Sequence, residues 1–226
     1  MQKSSSRTRF HVNMRVYLVT DPKESVSLLP YNPNSDSDVM TPAEAPVWRE
    51  QLKRAIRENR RDAYNRYLQL ATLGLDGKPR VRMVVFRGFS PSEASFFIIT
   101  DARSEKVKEL AHCPDVEVSW YFTHTREQFR LQCGTVVHSH NADVELHRDV
   151  LWKELSDAAK AQFFWPEPGL PSDEGQSLEI TAHPPETFVV IQCRPHRVDH
   201  LVLAKTQRRT LSDLTASGWT EVSVNP

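Results

Sequence analysis

The chain has 226 residues, 39% of them hydrophobic and 26% charged, an ordinary globular balance with enough length to bury a sizeable core as one domain. Lys and Arg together number 29, as do Asp and Glu, so the basic excess of a non-specific polyanion binder is missing. No apolar run approaches the roughly 18 residues of a spanning helix. Cys113, Cys133 and Cys193 lie far apart without a C-x-x-C pair, which argues against a disulfide framework or zinc ribbon and suits a reducing compartment.

The N-terminus carries Lys3, Arg7, Arg9 and Arg15 without an acid, around Ser4, Ser5 and Ser6. Organelle transit peptides and plain flexible tails share that composition, so mitochondrial or plastid import stands beside a cytoplasmic location. Residues 21–42 are rich in Pro, Ser, Asn and Asp, and residues 1–42 therefore read as an arm ahead of a folded domain at 43–226. Thr41-Pro42-Ala43-Glu44 has the form of a capping box, and Pro46 could equally hold the first helical position. Trp48, Leu52, Ala55 and Ile56 then recur at helical spacing.

Strands follow. Residues 67–73 (YLQLATL) lead through Asp76-Gly77, a hairpin turn signal, into a return strand at 80–87. A third strand covers 95–100, and Ser104 can cap a helix carrying Val107, Leu110 and Ala111 that stops before Pro114. Residues 116–122 and 128–138 form another strand pair, 143–163 read as helix, and 166–176 as loop. Short strands are expected at 187–193, 197–203 and 219–224. Many short strands with few helices predict a mainly β, α+β fold, a closed or nearly closed antiparallel barrel.

Two segments carry chemistry. Arg82 and Arg87 bracket the apolar Met83, Val84, Val85 and Phe86, and five positions apart they face opposite sides unless a bulge intervenes. An inward Arg needs an anionic partner, either a phosphate or an internal carboxylate. The turn from Thr100 through Arg103 to Ser104-Glu105-Lys106 joins a strand to a helix start, where free N–H groups and basic side chains favour an anion. His138, His140 and His147 lack a third ligand at metal spacing, and Trp120, Tyr121 and Phe122 suit a core better than a ring-stacking site. His196 and His200 read as structural rather than acid–base groups.

Asp76-Gly77-Lys78-Pro79, the strand from Arg82 to Arg87, Ile99-Thr100, Ser104-Glu105-Lys106, and Gln128 with Gly134 occur in the order of one family, with its spacing except for one extra residue between Gln128 and Gly134. They resemble the pyridoxamine 5'-phosphate oxidase-like family of FMN-binding split barrels. His196-Arg197, and Trp219 with Pro226, resemble its closing segment more loosely. The resemblance implies an antiparallel split β-barrel that forms a homodimer with FMN at the subunit interface. It implies that Arg82 and Lys106 hold the FMN phosphate and that Ser104 opens the same cradle. Met83, Val84, Val85, Phe86 and Arg87 run along the flavin, Ile99 and Thr100 touch the cofactor near its phosphate, and Gln128 or Arg130 meets the flavin ring. Arg197 is the candidate catalytic residue, facing a small-molecule substrate. No metal, nucleic acid or membrane is implied.

The departures bear on the substrate. Glu105 stands where the family has an arginine beside the phosphate lysine, and Asp199 and Leu201 replace a histidine and a flavin-binding arginine. The residues that clasp the vitamin phosphate in the true oxidase fall on Trp152, Ser156 and Lys160, and its flavin-facing tryptophan on Ile191. The reading is an FMN-dependent oxidoreductase acting on a substrate other than pyridoxamine phosphate. Its alternatives are a flavin- or ligand-binding carrier or sensor without turnover, and the vitamin-B6 oxidase itself.

Overall fold

The computed structural model describes residues 45–140, 145–170 and 180–226. The arm at 1–42 and the Thr41–Glu44 capping box lie outside the described residues. Helix α1 (Val47–Glu58) starts at Pro46, whose extended backbone makes it the N-cap, and buries Trp48, Leu52 and Ala55. Its end is closed by Asn59, whose N–H donates to the Ala55 carbonyl at 3.0 Å. Among the described residues no helix is long and apolar enough to cross a membrane.

Strands β1 (Tyr67–Leu73) and β2 (Pro79–Phe89) pair antiparallel across a turn in which Gly77 takes φ 73°, a left-handed value that favours glycine. Next come β3 (Phe96–Asp101), α2 (Glu105–His112), β4 (Asp115–Phe122) and β5 (Glu127–His138). After α3 (Glu145–Lys153) and α4 (Asp157–Ala161) lie β6 (Phe188–Val202), β7 (Arg208–Thr215) and β8 (Gly218–Val224). The sheet order is β3-β2-β1-β4-β5-β6-β7-β8, and a further β3–β6 pairing closes the first six strands into an antiparallel barrel.

Two expected strands, at 187–193 and 197–203, are one continuous element. The first half of β6 pairs with β3 and the second with β7, while β5 runs along its other edge. The pairing with β5 shifts at the middle, where Gln132 faces Arg197 but Cys133 faces Pro195, so a proline sits at an irregularity where its missing N–H is tolerated. Strand β7 was not expected from sequence. The single expected helix at 143–163 is two, because the Ser156 side chain accepts from the Ala159 N–H and starts α4 afresh.

Alternation fills the barrel. Leu68 and Leu70 from β1, Val84 and Phe86 from β2, Val118 and Trp120 from β4, and Phe129 and Leu131 from β5 form one buried cluster with α1. Trp120 sits at its centre, with its Nε1–H donating to the Asn65 carbonyl at 2.9 Å and its ring 5.1 Å from Phe86. A second cluster joins Trp152, Leu155 and Phe163 to Phe97, Phe188 and Val190 on the other face of β3 and β6.

Trp120→Ala should lower stability by about 3–5 kcal/mol, read from the urea midpoint, because it empties this centre and orphans the Asn65 carbonyl. Burial pushes the Cys193 thiol up to about 12 and raises Cys133 well above its ordinary value. A thiol reagent at neutral pH should therefore react with Cys113 in the native protein and with Cys133 and Cys193 only after unfolding.

Candidate functional site

Arg82 lies on the same face of β2 as the buried Val84 and Phe86, so its side chain enters the barrel rim. There it meets α2. Its Nη2 donates to Glu109 Oε2 at 2.7 Å, its Nη1 donates to Thr72 Oγ1, and Thr72 Oγ1 donates to the same Glu109 oxygen at 2.6 Å. The internal carboxylate considered as Arg82's partner is thus present. Among the described residues no other hydrogen bond engages this guanidinium, which leaves further N–H groups for a ligand.

Lys106 stands one turn before Glu109 on α2 and donates from Nζ to Thr100 Oγ1 at 2.8 Å. Burial lowers its pKa, and the charge of Arg82 lowers it further, against smaller opposing effects of Asp101 and Glu109. Two cations therefore share a partly desolvated rim. Thr100 and Ser104 are buried beside them, with hydroxyls 3.3 Å apart. Ser104 occupies the N-cap position of α2, but its hydroxyl donates to the Asp101 carbonyl at 2.7 Å instead of capping. Arg103 turns away from the cradle to Asp101 and to the Trp165 carbonyl.

Glu105 does not enter the cradle. It is exposed and pairs with Lys108 at 2.9 Å, so the acid beside the cations is Glu109, which sequence reasoning missed. Adjacent helix positions point in different directions, whereas positions three apart share a face. That spacing from Lys106 was the available signal.

Arg87 falls where the β2–β3 pairing slips, with Phe86 opposite Ile98 and Gly88 opposite Phe97. Gly88 supplies the φ of 134° that this bulge takes. The Arg87 Nε is buried without a hydrogen-bond partner, and burial, then the nearby Arg66, lowers its pKa. Met83 and Val81 on the same strand are exposed on the outer barrel face, at 54% and 70%. Val84, Phe86 and the neighbouring Ile98 are core, Val85 is half-buried, and Ile99 packs against the second cluster.

Gln128, Arg130 and Arg197 form a separate group. Gln128 and Arg130 alternate with the buried Phe129 and Leu131 and so face outward from β5. Arg130 pairs with Glu117 at 2.8 Å and approaches Asp199 at 3.8 Å; Arg197 pairs with Asp213 at 3.5 Å; Arg209 pairs with Asp199 at 2.8 Å. Arg130, Arg197 and Arg209, with Glu117, Asp199, Gln132 and Leu211, line a groove of about 220 Å³. Among the described residues no hydrogen bond or ion pair joins this group to Arg82 and Lys106. His200 is buried, with Nδ1 2.9 Å from Gln51 and Nε2 2.8 Å from Glu127, and it stacks on Phe129 at 4.1 Å, while His196 is exposed. Among the described residues no group of three or more His, Cys, Asp or Glu could hold a metal ion.

The residues expected to clasp a vitamin phosphate have other partners. Trp152 is fully buried between Phe163 and Phe188, Ser156 caps α4, Lys160 lies over the Trp152 ring at 5.7 Å, and Ile191 is core.

An anionic ligand suits the rim. The Arg82–Lys106 pair offers two cations to a phosphate. The profile of the family described as "Pyridoxamine 5'-phosphate oxidase, FMN-binding domain" matches residues 45–139. Pyridoxine/pyridoxamine 5'-phosphate oxidase 2 of Arabidopsis thaliana is 37% identical over 191 residues, covering 79% of this chain and 96% of that protein. A pyridoxamine 5'-phosphate oxidase-related, FMN-binding protein of Nostoc punctiforme superposes with a TM-score of 0.76 at 37% identity, over 80% of this chain and 98% of that one. PhzG from Burkholderia lata, solved with tetrahydrophenazine-1-carboxylic acid, shares the fold at a TM-score of 0.66 and 19% identity, over 82% and 94% of the two chains. The chain belongs to the pyridoxamine 5'-phosphate oxidase-like family of FMN-binding split-barrel proteins.

Proposed function

We propose that this protein is an FMN-dependent oxidoreductase that works as a homodimer, with FMN at the subunit interface and a substrate other than pyridoxamine 5'-phosphate. The observation that carries the reading is the Arg82–Lys106 pair on one partly desolvated rim. Two cations held together at a cost in solvation are what a phosphate dianion rewards. Bound FMN supplies a hydride acceptor, so no side chain need act as a nucleophile. The chain's own part is to hold the phosphate with Arg82, Lys106 and Thr100, to lay Met83, Val85 and Arg87 along the ring system, and to present Gln128 or Arg130 to it. Arg197 faces the substrate.

Two features support the homodimer. Gln128, Arg130 and Arg197 lie on the outer barrel face, apart from the Arg82–Lys106 rim, so a second copy is the simplest way to bring both groups to one ligand. The outer face of β1 and β2 also exposes Tyr67, Val81 and Met83 side by side, an apolar patch suited to burial. A second reading, oxidation of pyridoxamine 5'-phosphate itself, is favoured by the activity for which the Arabidopsis relative is named. Against it stand Trp152, Ser156 and Ile191, which serve the core and a helix cap here. Oxygen-dependent formation of pyridoxal 5'-phosphate at a steady rate would establish the second reading and overturn the first.

Protein reconstituted with FMN should show flavin absorbance bands and quench FMN fluorescence; absence of both ends the proposal. Lys106→Ala should weaken FMN binding roughly ten- to hundredfold, the worth of a charge-assisted hydrogen bond. Because the pKa of Lys106 lies below its ordinary 10.5, its charge is lost earlier than usual as pH rises. FMN affinity should therefore fall between neutrality and pH 10.5, and Lys106→Arg should flatten that fall. Light scattering on the purified protein should give the mass of two chains, and Met83→Glu on the apolar face should shift it to one.

A further inference from the structure

Glu109 is a buried carboxylate on the rim of the cofactor site, only 5% exposed, and the cofactor reading gives it no role. An acid beside a phosphate site lowers the affinity it sits next to, so its presence needs a reason. Its hydrogen bonds form a closed ring. Arg82 donates to Thr72 and to Glu109, and Thr72 donates to the Glu109 oxygen that Arg82 also uses. Thr72 and Arg82 are diagonal neighbours on β1 and β2, since Leu70 faces Arg82 and Thr72 faces Arg80. Glu109 comes from a third element, α2, three residues beyond Lys106. Two contact points from different elements fix the guanidinium plane and leave its other N–H groups without a hydrogen bond among the described residues.

We propose that Glu109 is the positioning residue of the phosphate cradle: with Thr72 it holds Arg82 in the orientation that receives an anionic phosphate, and its charge trims the affinity for that anion. This rests on the FMN reading. Position and charge have opposite signs, which makes them separable. In Glu109→Gln the amide oxygen still accepts from Arg82 and Thr72 while the negative charge is gone. In Glu109→Ala the charge is gone and so is the anchor. In Thr72→Val the charge stays and the ring opens without a change of side-chain shape.

FMN fluorescence quenching, with inorganic phosphate as competitor, reads these apart, and the melting temperature of each apoprotein reports folding. Glu109→Gln should bind FMN and phosphate roughly threefold to tenfold more tightly than the parent, as removal of a nearby unit charge in a partly screened site implies. Glu109→Ala should bind roughly tenfold more weakly than Glu109→Gln, and Thr72→Val several-fold more weakly than the parent. If Glu109→Ala binds as tightly as Glu109→Gln, the carboxylate is only a repelling charge and the proposal fails. Unchanged affinity in Thr72→Val overturns it equally, and that variant decides the matter if Glu109→Ala does not fold. A parent protein that quenches no FMN defeats the cofactor reading, whereas quenching with the wrong order of variants defeats this inference alone.

Discussion

Six residue pairs between β3 and β6, from Phe96 opposite Cys193 to Asp101 opposite Phe188, close the barrel and fix where the candidate site can be. Strand β3 is held on its other side by only a short, bulged pairing with β2, so its register comes from β6. The closure runs one step further, with the Ala102 N–H donating to the Thr187 carbonyl at 2.7 Å. The chain then turns, and the Asp101 carbonyl accepts from both the N–H and the hydroxyl of Ser104. Helix α2 therefore starts at one place and in one direction. Lys106 and Glu109 reach Arg82 because of that direction, and an open sheet would leave Glu109 without the cation that makes its burial tolerable.

The rim and the outer groove differ in charge balance, which follows from how each is built. On the rim, Arg82 and Lys106 share the carboxylate Glu109, with Asp101 near Lys106 but paired with Arg103, and Lys106 is partly desolvated. In and beside the groove, Arg130, Arg197 and Arg209 are matched by Glu117, Asp199 and Asp213 on neighbouring strands of one sheet face, Arg197 lying directly opposite Asp213. Cross-strand alternation of opposite charges stabilises that face modestly and leaves no surplus. Glu127 shows how a buried acid of this fold stays ionised: burial pushes its pKa up, but the hydrogen bond from His200 and the charge of Arg54 hold it below the ordinary value.

Much of this was legible from sequence wherever one strand face meets the core and the other does not. Strands β1, β2, β4 and β5 alternate for that reason and were found close to their true ends. The first half of β6 is apolar but for the buried Gln192, because the barrel covers one face and α3 and α4 the other. Strand β7 (RRTLSDLT) hid because only Ser212 is fully buried, so its sequence carries no apolar alternation. At the site, Arg82 announced itself as an arginine amid Val and Phe. Glu109 did not, since EKVKELAH reads as a solvated helix face until the barrel places it. Glu105 drew notice through its sequence neighbour Lys106, but a helix brings together residues three or four apart, not adjacent ones.

The charge balance also bears on what the groove around Arg197 can accept. A dianionic substrate entering it would have to draw arginines away from Glu117, Asp199 and Asp213, exchanging existing ion pairs for new ones with little net gain. The cofactor phosphate meets no such competition for Lys106, whose nearest partner is the neutral Thr100 hydroxyl. Asp199, bound bidentately by Arg209 and 3.8 Å from Arg130, is itself one of the carboxylates that take up these arginines.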